Sequence, residues 1–173
     1  MVDSHAAVSD HSLVIPQNVH YNGNMKTLAV KISSAPGTYA VCLRLMAFRS
    51  IVIGKMGKID FSAGWYVYVG SAMGPGGLAA RIGRHCRVTK KKHWHIDYLR
   101  PATRMKGAFV SEDPVRREHE WARCLGTASI AGRPVSGFGS SDCRCVAHLF
   151  YFNTRPAPEI LASALKAQWV RSR

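Results

Sequence analysis

The sequence predicts one α+β domain, a small antiparallel sheet flanked by helices, preceded by a loosely packed arm. Three observations support this. A chain of 173 residues with 47% hydrophobic content can bury one ordinary core and is short for two. An apolar alternation of strand period opens just after Gly37. The glycine-rich passage Gly74-Pro75-Gly76-Gly77 then separates strand-like from helix-like patterning.

Residues 1–34 are polar and irregular, with His5, His11 and His20 scattered among Ser and Asn, and no element is expected there. Met25 offers a second start, which would make the preceding stretch dispensable. The domain should occupy 35–173. From Gly37 to Phe48, Tyr39, Val41, Leu43 and Leu45 alternate with Ala40, Cys42, Arg44 and Met46, giving a first strand. Ile51–Ile53 is a second and Trp65–Val69 a third, and their spacing suits an antiparallel meander. Leu78–Val88 reads as a helix with Leu78, Ile82 and Cys86 inward, and Val115–Leu125 as another opened by Pro114. Ala147–Phe152 is expected to return as a strand. Pro158–Val170 should close the chain as an amphipathic helix presenting Leu161, Leu165 and Trp169 on one face. There are no internal repeats.

Charge narrows the partners. Lys and Arg number 24 against 10 Asp and Glu, for a net charge of +14 and a pI near 10.1. That balance favours a polyanion: nucleic acid first, an anionic membrane surface second. No window approaches the roughly 18 apolar residues of a membrane span, and no leader pattern opens the chain, so a cytoplasmic protein is expected. The five cysteines, Cys42, Cys86, Cys124, Cys143 and Cys145, are scattered and odd in number, which favours reduced thiols.

Helix geometry brings out few residues able to do chemistry. Arg81 and His85 share the flank of the first helix, while Arg84 and Arg87 point further round toward solvent, where they suit phosphate contacts. On the second helix, Glu118 shares an arc with Val115, Ala122 and Leu125, with Glu120 nearly opposite. A carboxylate on the core side needs a metal, a base or water, because burying its charge alone is costly.

The ordered set Gly37-Thr38-Tyr39, Tyr68-Val69-Gly70, Arg81-x-x-x-His85 and Glu118 resembles the signature of the GIY-YIG nucleases. The strings at Trp65–Ala72, His93–Leu99 and Gly137–Leu149 are similar to its Uri-type prokaryotic subgroup, and the resemblance covers about residues 36–153. It implies a small antiparallel sheet with helices and a metal-dependent cleavage of phosphodiesters in DNA or, second, RNA, with one Mg²⁺ or Mn²⁺. Glu118 would then be the metal ligand, Arg81 the clamp on phosphoryl oxygens, and Tyr39 and Tyr68 the groups ordering the water. Either a tyrosine or His85 could act as base. Members of the subgroup are sometimes joined to an endonuclease III domain, which implies a repair-enzyme partner. Tyr39 and Tyr68 are further apart in sequence than in typical members, so an extra turn or strand is expected around Gly54–Gly64. The family's late asparagine has no clear counterpart, with Ser141, Asp142 and Asn153 nearby. That difference keeps open a binding module of the same fold without turnover.

Two other groupings compete. His93-x-His95-x-Asp97 resembles part of the ligand run of zinc-dependent hydrolases of the metallo-β-lactamase type, against the simpler reading of a loop pinned by Trp94 with internal hydrogen bonds. Cys143 and Cys145 with His148 could supply three zinc ligands and Cys124 or His119 a fourth. Their tight spacing is unlike the usual two-pair pattern, so buried, reduced cysteines are the better expectation. From Ala79 to Arg117 there are eleven Lys or Arg against three acidic residues. Arg84, Arg87, Lys90, Lys91 and Lys92, interleaved with His93 and Trp94, are the expected nucleic-acid contacts.

Overall fold

The computed structural model describes residues 12–21 and 24–171. Its centre is a six-stranded antiparallel sheet, assembled from β3 (Thr38–Leu45), β6 (Gly64–Ser71), β7 (Thr103–Ser111), β8 (Arg133–Pro134), β9 (Leu149–Phe152) and β10 (Gln168–Arg171) in the order β10-β7-β3-β6-β9-β8. The fold is α+β. β3 sits in the middle and is covered on both faces: Tyr39, Val41, Leu43 and Leu45 enter one core, Ala40 and Cys42 the other. Helices α1 (Gly77–Cys86) and α2 (His95–Leu99) cover the first face through Leu78, Ile82, Ile96 and Leu99. Helices α3 (Glu118–Leu125) and α4 (Pro158–Leu165) cover the second through Trp121, Ala122, Leu125, Leu161 and Leu165.

The stretch expected to be an irregular arm contains a hairpin, β1 (Leu13–Tyr21) paired with β2 (Asn24–Ile32). Leu13 packs on the first core and Ile32 is buried. Pairing of backbone groups is indifferent to the polar residues that dilute the β-branched ones here, so hydrophobic period is a poor guide. Residues 1–11 lie outside the described residues. The connection from β2 to β3 meets the start of α1: the amides of Leu78 and Ala79 donate to the carbonyls of Ala35 and Ser33 at 3.0 Å each. Two free donors of the helix start are thereby satisfied. Gly77, at φ 49°, permits this approach, since a Cβ there would meet the carbonyl oxygens of Ser34 and Ala35.

Four other expectations are corrected. The run around Ile51 is outside the main sheet: β4 (Arg49–Val52) pairs only with β5 (Lys58–Phe61), and a 3-10 turn at Gly54–Met56 joins them. That excursion supplies the additional strand between Tyr39 and Tyr68. The helix proposed from Val115 begins only at Glu118, because Asp113 accepts from the Val115 amide and the Arg117 guanidinium, holding residues 113–117 in a turn with Val115 exposed. The final helix stops at Leu165, where Lys166 turns left-handed at φ 50°. Trp169 then lies on β10, against Phe109 at 4.5 Å between ring centroids. Finally, α1 is rotated so that His85, and not Cys86, completes its inward face with Leu78 and Ile82.

Candidate active site

Tyr39 and Tyr68 come from adjacent strands in antiparallel register, Tyr39 opposite Gly70 and Tyr68 opposite Val41. They are diagonal neighbours on one face, within the reach of aromatic side chains. The absent side chain at Gly70 makes room for the Tyr39 phenol, as a Cβ there would lie 2.5 Å from its oxygen. Behind the phenol, Tyr39 Oη and His85 Nε2 share a 2.8 Å hydrogen bond. His85 is fully buried and its Nδ1 has no hydrogen-bond partner among the described residues.

In front of the tyrosines opens a cleft of about 340 Å³ that Arg81 of α1 and Glu118 of α3 also line. Four residues from four separate segments, Tyr39, Tyr68, Arg81 and Glu118, therefore meet at one place. His85 does not line the cleft; it stands behind it, hydrogen-bonded to Tyr39 and with its ring near those of Tyr68 and Trp94. Glu118 is half-buried, on the same face as Ala122 and Leu125, while Glu120 points outward and pairs with Arg117 at 3.1 Å. The rim adds Arg116 and Ser71, for which the sequence suggests no role in the site, and His95, Ser141, Asp142 and His148, which it singles out for other reasons. Ser141 and Asp142 stand in the cleft, whereas Asn153 lies elsewhere, accepting from Tyr151 Oη at 3.4 Å.

Burial sets the protonation states. It raises Tyr39 well above the ordinary phenol value, with Tyr68 adding to the rise and Arg81 opposing it. Tyr68 is raised likewise by burial, then by the charges of Glu118 and Asp97. Burial takes His85 down to about 3, helped by the positive charge of Lys90. At neutral pH the pair behind the cleft is thus a phenol and a neutral imidazole.

The basic residues divide sharply. Trp94 lies between two guanidinium groups, Arg81 and Arg84, each 4.8 Å from its ring. Arg84 continues to Asp97 at 2.6 Å, and Lys90 reaches the same carboxylate at 2.9 Å. The amides of His93 and Trp94 donate to it as well, at 2.9 and 3.1 Å. Burial pushes Asp97 up, but Lys90, the two amides and Arg84 outweigh it and hold the carboxyl at about 2. Arg84 and Lys90 are therefore structural, contrary to the solvent-facing role expected of them. Arg87, Lys91 and Lys92 are exposed, with Lys92 over the Tyr98 ring, and His93 and Trp94 line the cleft.

The zinc-hydrolase grouping is not gathered as a ligand set: Asp97 is engaged by two cations and two amides, His95 Nδ1 accepts from the Gly139 amide at 3.0 Å, and among the described residues His93, His95 and Asp97 form no cluster of ligand atoms. The cysteines depart from expectation in the other direction. All five are free thiols, and Cys143 and Cys145 are half-exposed rather than buried. They gather with His119 and His148, while Cys124 Sγ lies toward Ala164 of α4.

This arrangement defines a class: a small basic α+β domain with a cleft that presents two phenols, two guanidinium groups and two carboxylates. The family model described as Domain of unknown function DUF123 matches residues 38–169, and the chain belongs to that family. No curated protein and no solved structure matches it. Among the described residues no helix is long and apolar enough to cross a membrane.

Proposed function

We propose that the protein is a divalent-metal-dependent endonuclease of the GIY-YIG type that hydrolyses phosphodiester bonds in DNA, or second in RNA, in repair or nucleic-acid processing. The observation that carries this reading is the meeting of Tyr39, Tyr68, Arg81 and Glu118 in one cleft. The net charge of +14 adds the general attraction for a polyanion.

The donor set fits Mg²⁺ or Mn²⁺. Glu118 lines the cleft, no Lys or Arg pairs with it among the described residues, and Asp142 and Ser141 add further oxygens. A hard cation takes one or two such carboxylates and completes its shell with water and substrate oxygens. When bound, the ion supplies positive charge against the phosphoryl oxygens and makes a nearby water more acidic. Everything else falls to the chain. Arg81, with its plane fixed against Trp94, is placed to hold two phosphoryl oxygens as charge builds on them. Tyr39 and Tyr68 stay protonated and are not bases in the resting state. With His85 as the Nε2–H tautomer, Tyr39 accepts from the imidazole and its own proton, like that of Tyr68, is free to donate toward water or phosphate. His85 positions Tyr39 from behind and lies out of a substrate's reach.

The same protonation states favour a second reading, a nucleic-acid-binding module of this fold without turnover. One experiment separates the two: incubation with plasmid, branched and single-stranded substrates, with Mg²⁺, with Mn²⁺ and with chelator. Metal-dependent cleavage is expected. Arg81→Ala should lower it by about 10²- to 10³-fold with binding changed little, as for loss of a transition-state donor. Glu118→Gln should remove the dependence on metal, and Glu120→Gln should do little. Binding without cleavage of any substrate would favour the module; cleavage at the parental rate by both Arg81→Ala and Glu118→Gln would defeat the assigned site.

A further inference from the structure

We propose that His119, Cys143, Cys145 and His148 bind one structural Zn²⁺, which fastens the start of α3 to the loop before β9. This site adjoins the cleft through His148 and does not depend on the hydrolytic reading.

One donor atom from each of the four residues lies within 4.8 Å of all the others. Two of the sulfur-to-nitrogen separations are shorter: 3.2 Å from His119 Nδ1 to Cys145 Sγ, and 3.4 Å from Cys143 Sγ to His148 Nε2. A tetrahedral ion with Zn–S near 2.3 Å and Zn–N near 2.0–2.1 Å requires S···N edges of about 3.5 Å and an S···S edge of about 3.8 Å. The two short edges lie within about 0.3 Å of the S···N value, and the widest separation, 4.8 Å, must close by about 1 Å. Two thiolates and two imidazoles are a borderline-soft donor set that suits zinc over magnesium or calcium.

The surroundings agree with a metal role. The other ring nitrogen of His119, Nε2, faces Glu118 Oε1 at 3.7 Å. A carboxylate on that side favours the tautomer that leaves Nδ1 free to coordinate, the usual support for a metal-bound histidine. Three of the ligands come from the stretch between β8 and β9, where residues 135–148 contain no helix or strand. Backbone bonds such as that from the Gly137 amide to the Val146 carbonyl, and buried Phe138, fasten parts of it, and a metal would add a cross-link at Cys143 and Cys145. With four protein ligands, the tetrahedron has no vacant position, so this is a closed, structural site. Binding converts both thiols to thiolates and releases their protons to solvent.

Because His148, Ser141 and Asp142 line the cleft from one side and Glu118 adjoins His119, the ion would hold one wall of the cleft in place. The sequence separation between His119 and the other three keeps this set from matching the usual two-pair zinc pattern.

The test is elemental analysis of tag-free protein refolded with excess zinc and then desalted, together with Co²⁺ replacement. One zinc per chain is expected, and Co²⁺ should show tetrahedral ligand-field bands with thiolate charge transfer. Cys143→Ser and Cys145→Ser should each weaken binding by more than about 100-fold, beyond the 10- to 100-fold range of an outer-shell change. Cys124→Ser should leave it unchanged. Should the serine variants fail to fold, His119→Cys still decides the matter: it should keep the metal and raise the charge-transfer intensity by adding a third thiolate. Absence of zinc in the refolded protein would overturn the proposal, as would a cobalt spectrum without thiolate bands, serine variants that hold zinc as tightly as the parent, or a His119→Cys spectrum identical to the parental one.

Discussion

The two walls of the cleft are held by different physics. On the α1–α2 side, Asp97 binds Arg84, Lys90 and two backbone amides, and Trp94 is wedged between Arg81 and Arg84. Everything that fixes Arg81 there is covalently part of the chain. On the α3 side, residues 135–148 are held by scattered backbone bonds, such as the Gly137 amide to the Val146 carbonyl and the His148 amide to the Phe138 carbonyl at 2.8 Å each, and by buried Phe138, beside the His119, Cys143, Cys145 and His148 cluster. One wall is thus fixed by buried ion pairs and the other by backbone bonds, to which the proposed zinc would add an exchangeable fastening.

The largest effect should come from breaking the ion-paired wall. Asp97→Asn leaves Arg84 and Lys90 buried beside a neutral amide, and loss of one partner of such a pair costs about 3–5 kcal/mol. At roughly 2–4 °C per kcal/mol for a chain of this size, calorimetry should register a melting point lower by about 6–20 °C. Acid should probe the same carboxylate. Its folded value of about 2 lies below the unfolded value of roughly 3.9, so its stabilisation is complete above about pH 4 and is lost as pH falls through about 2. His85, held at about 3 against an unfolded value near 6.5, adds an earlier loss that begins below about pH 6.5. A melt series from pH 7 to pH 2 should therefore show two successive declines, with the lower one missing in Asp97→Asn. An Asp97→Asn protein as stable as the parent would erase the distinction between the walls.

A smaller and more local effect is expected from a strong chelator. Hydrogen exchange should quicken across residues 135–148 and the start of α3, while α1 and α2 keep their protection. Equal acceleration on both sides would mean that the walls are one cooperative unit.

Much of this is legible in the sequence, for reasons that differ by residue. Glu118 can be picked out because a carboxylate on the core side of a helix is costly to bury alone, whereas Tyr39, Tyr68 and Arg81 stand out only through the ordered motifs that resemble the GIY-YIG signature. Glu118 is found on its helix face even though Val115, counted on the same arc, proves exposed and outside the helix. The partners of the basic residues are not legible. Nothing in the spacing of Arg84, Lys90 and Asp97 says that a carboxylate thirteen residues away will close on the first of them. The hairpin at Leu13–Ile32 escapes the pattern because ladder pairing leaves little mark on polar strands, and Trp169 because helical and strand periods are hard to separate over so short a run.

The smallest effect concerns the cations left free. Arg87, Lys91 and Lys92 are exposed, so neutralising all three should leave the melting point nearly unchanged and flatten the salt dependence of duplex binding. The log–log slope should fall by roughly 0.9 for each phosphate that is no longer neutralised. If the slope stays the same, nucleic acid is held elsewhere, and Arg116 on the cleft rim is the next residue to change.

Gly70 carries a lesson about inheritance. Its backbone is not among those with positive φ, so nothing in its own conformation asks for glycine. The demand comes from the neighbouring strand, where the Tyr39 phenol occupies the space a methyl group would need. Positions 39 and 70 are in effect a single character written in two places. A lineage that keeps the phenol must keep the glycine, and one that gives up the phenol releases position 70 to vary.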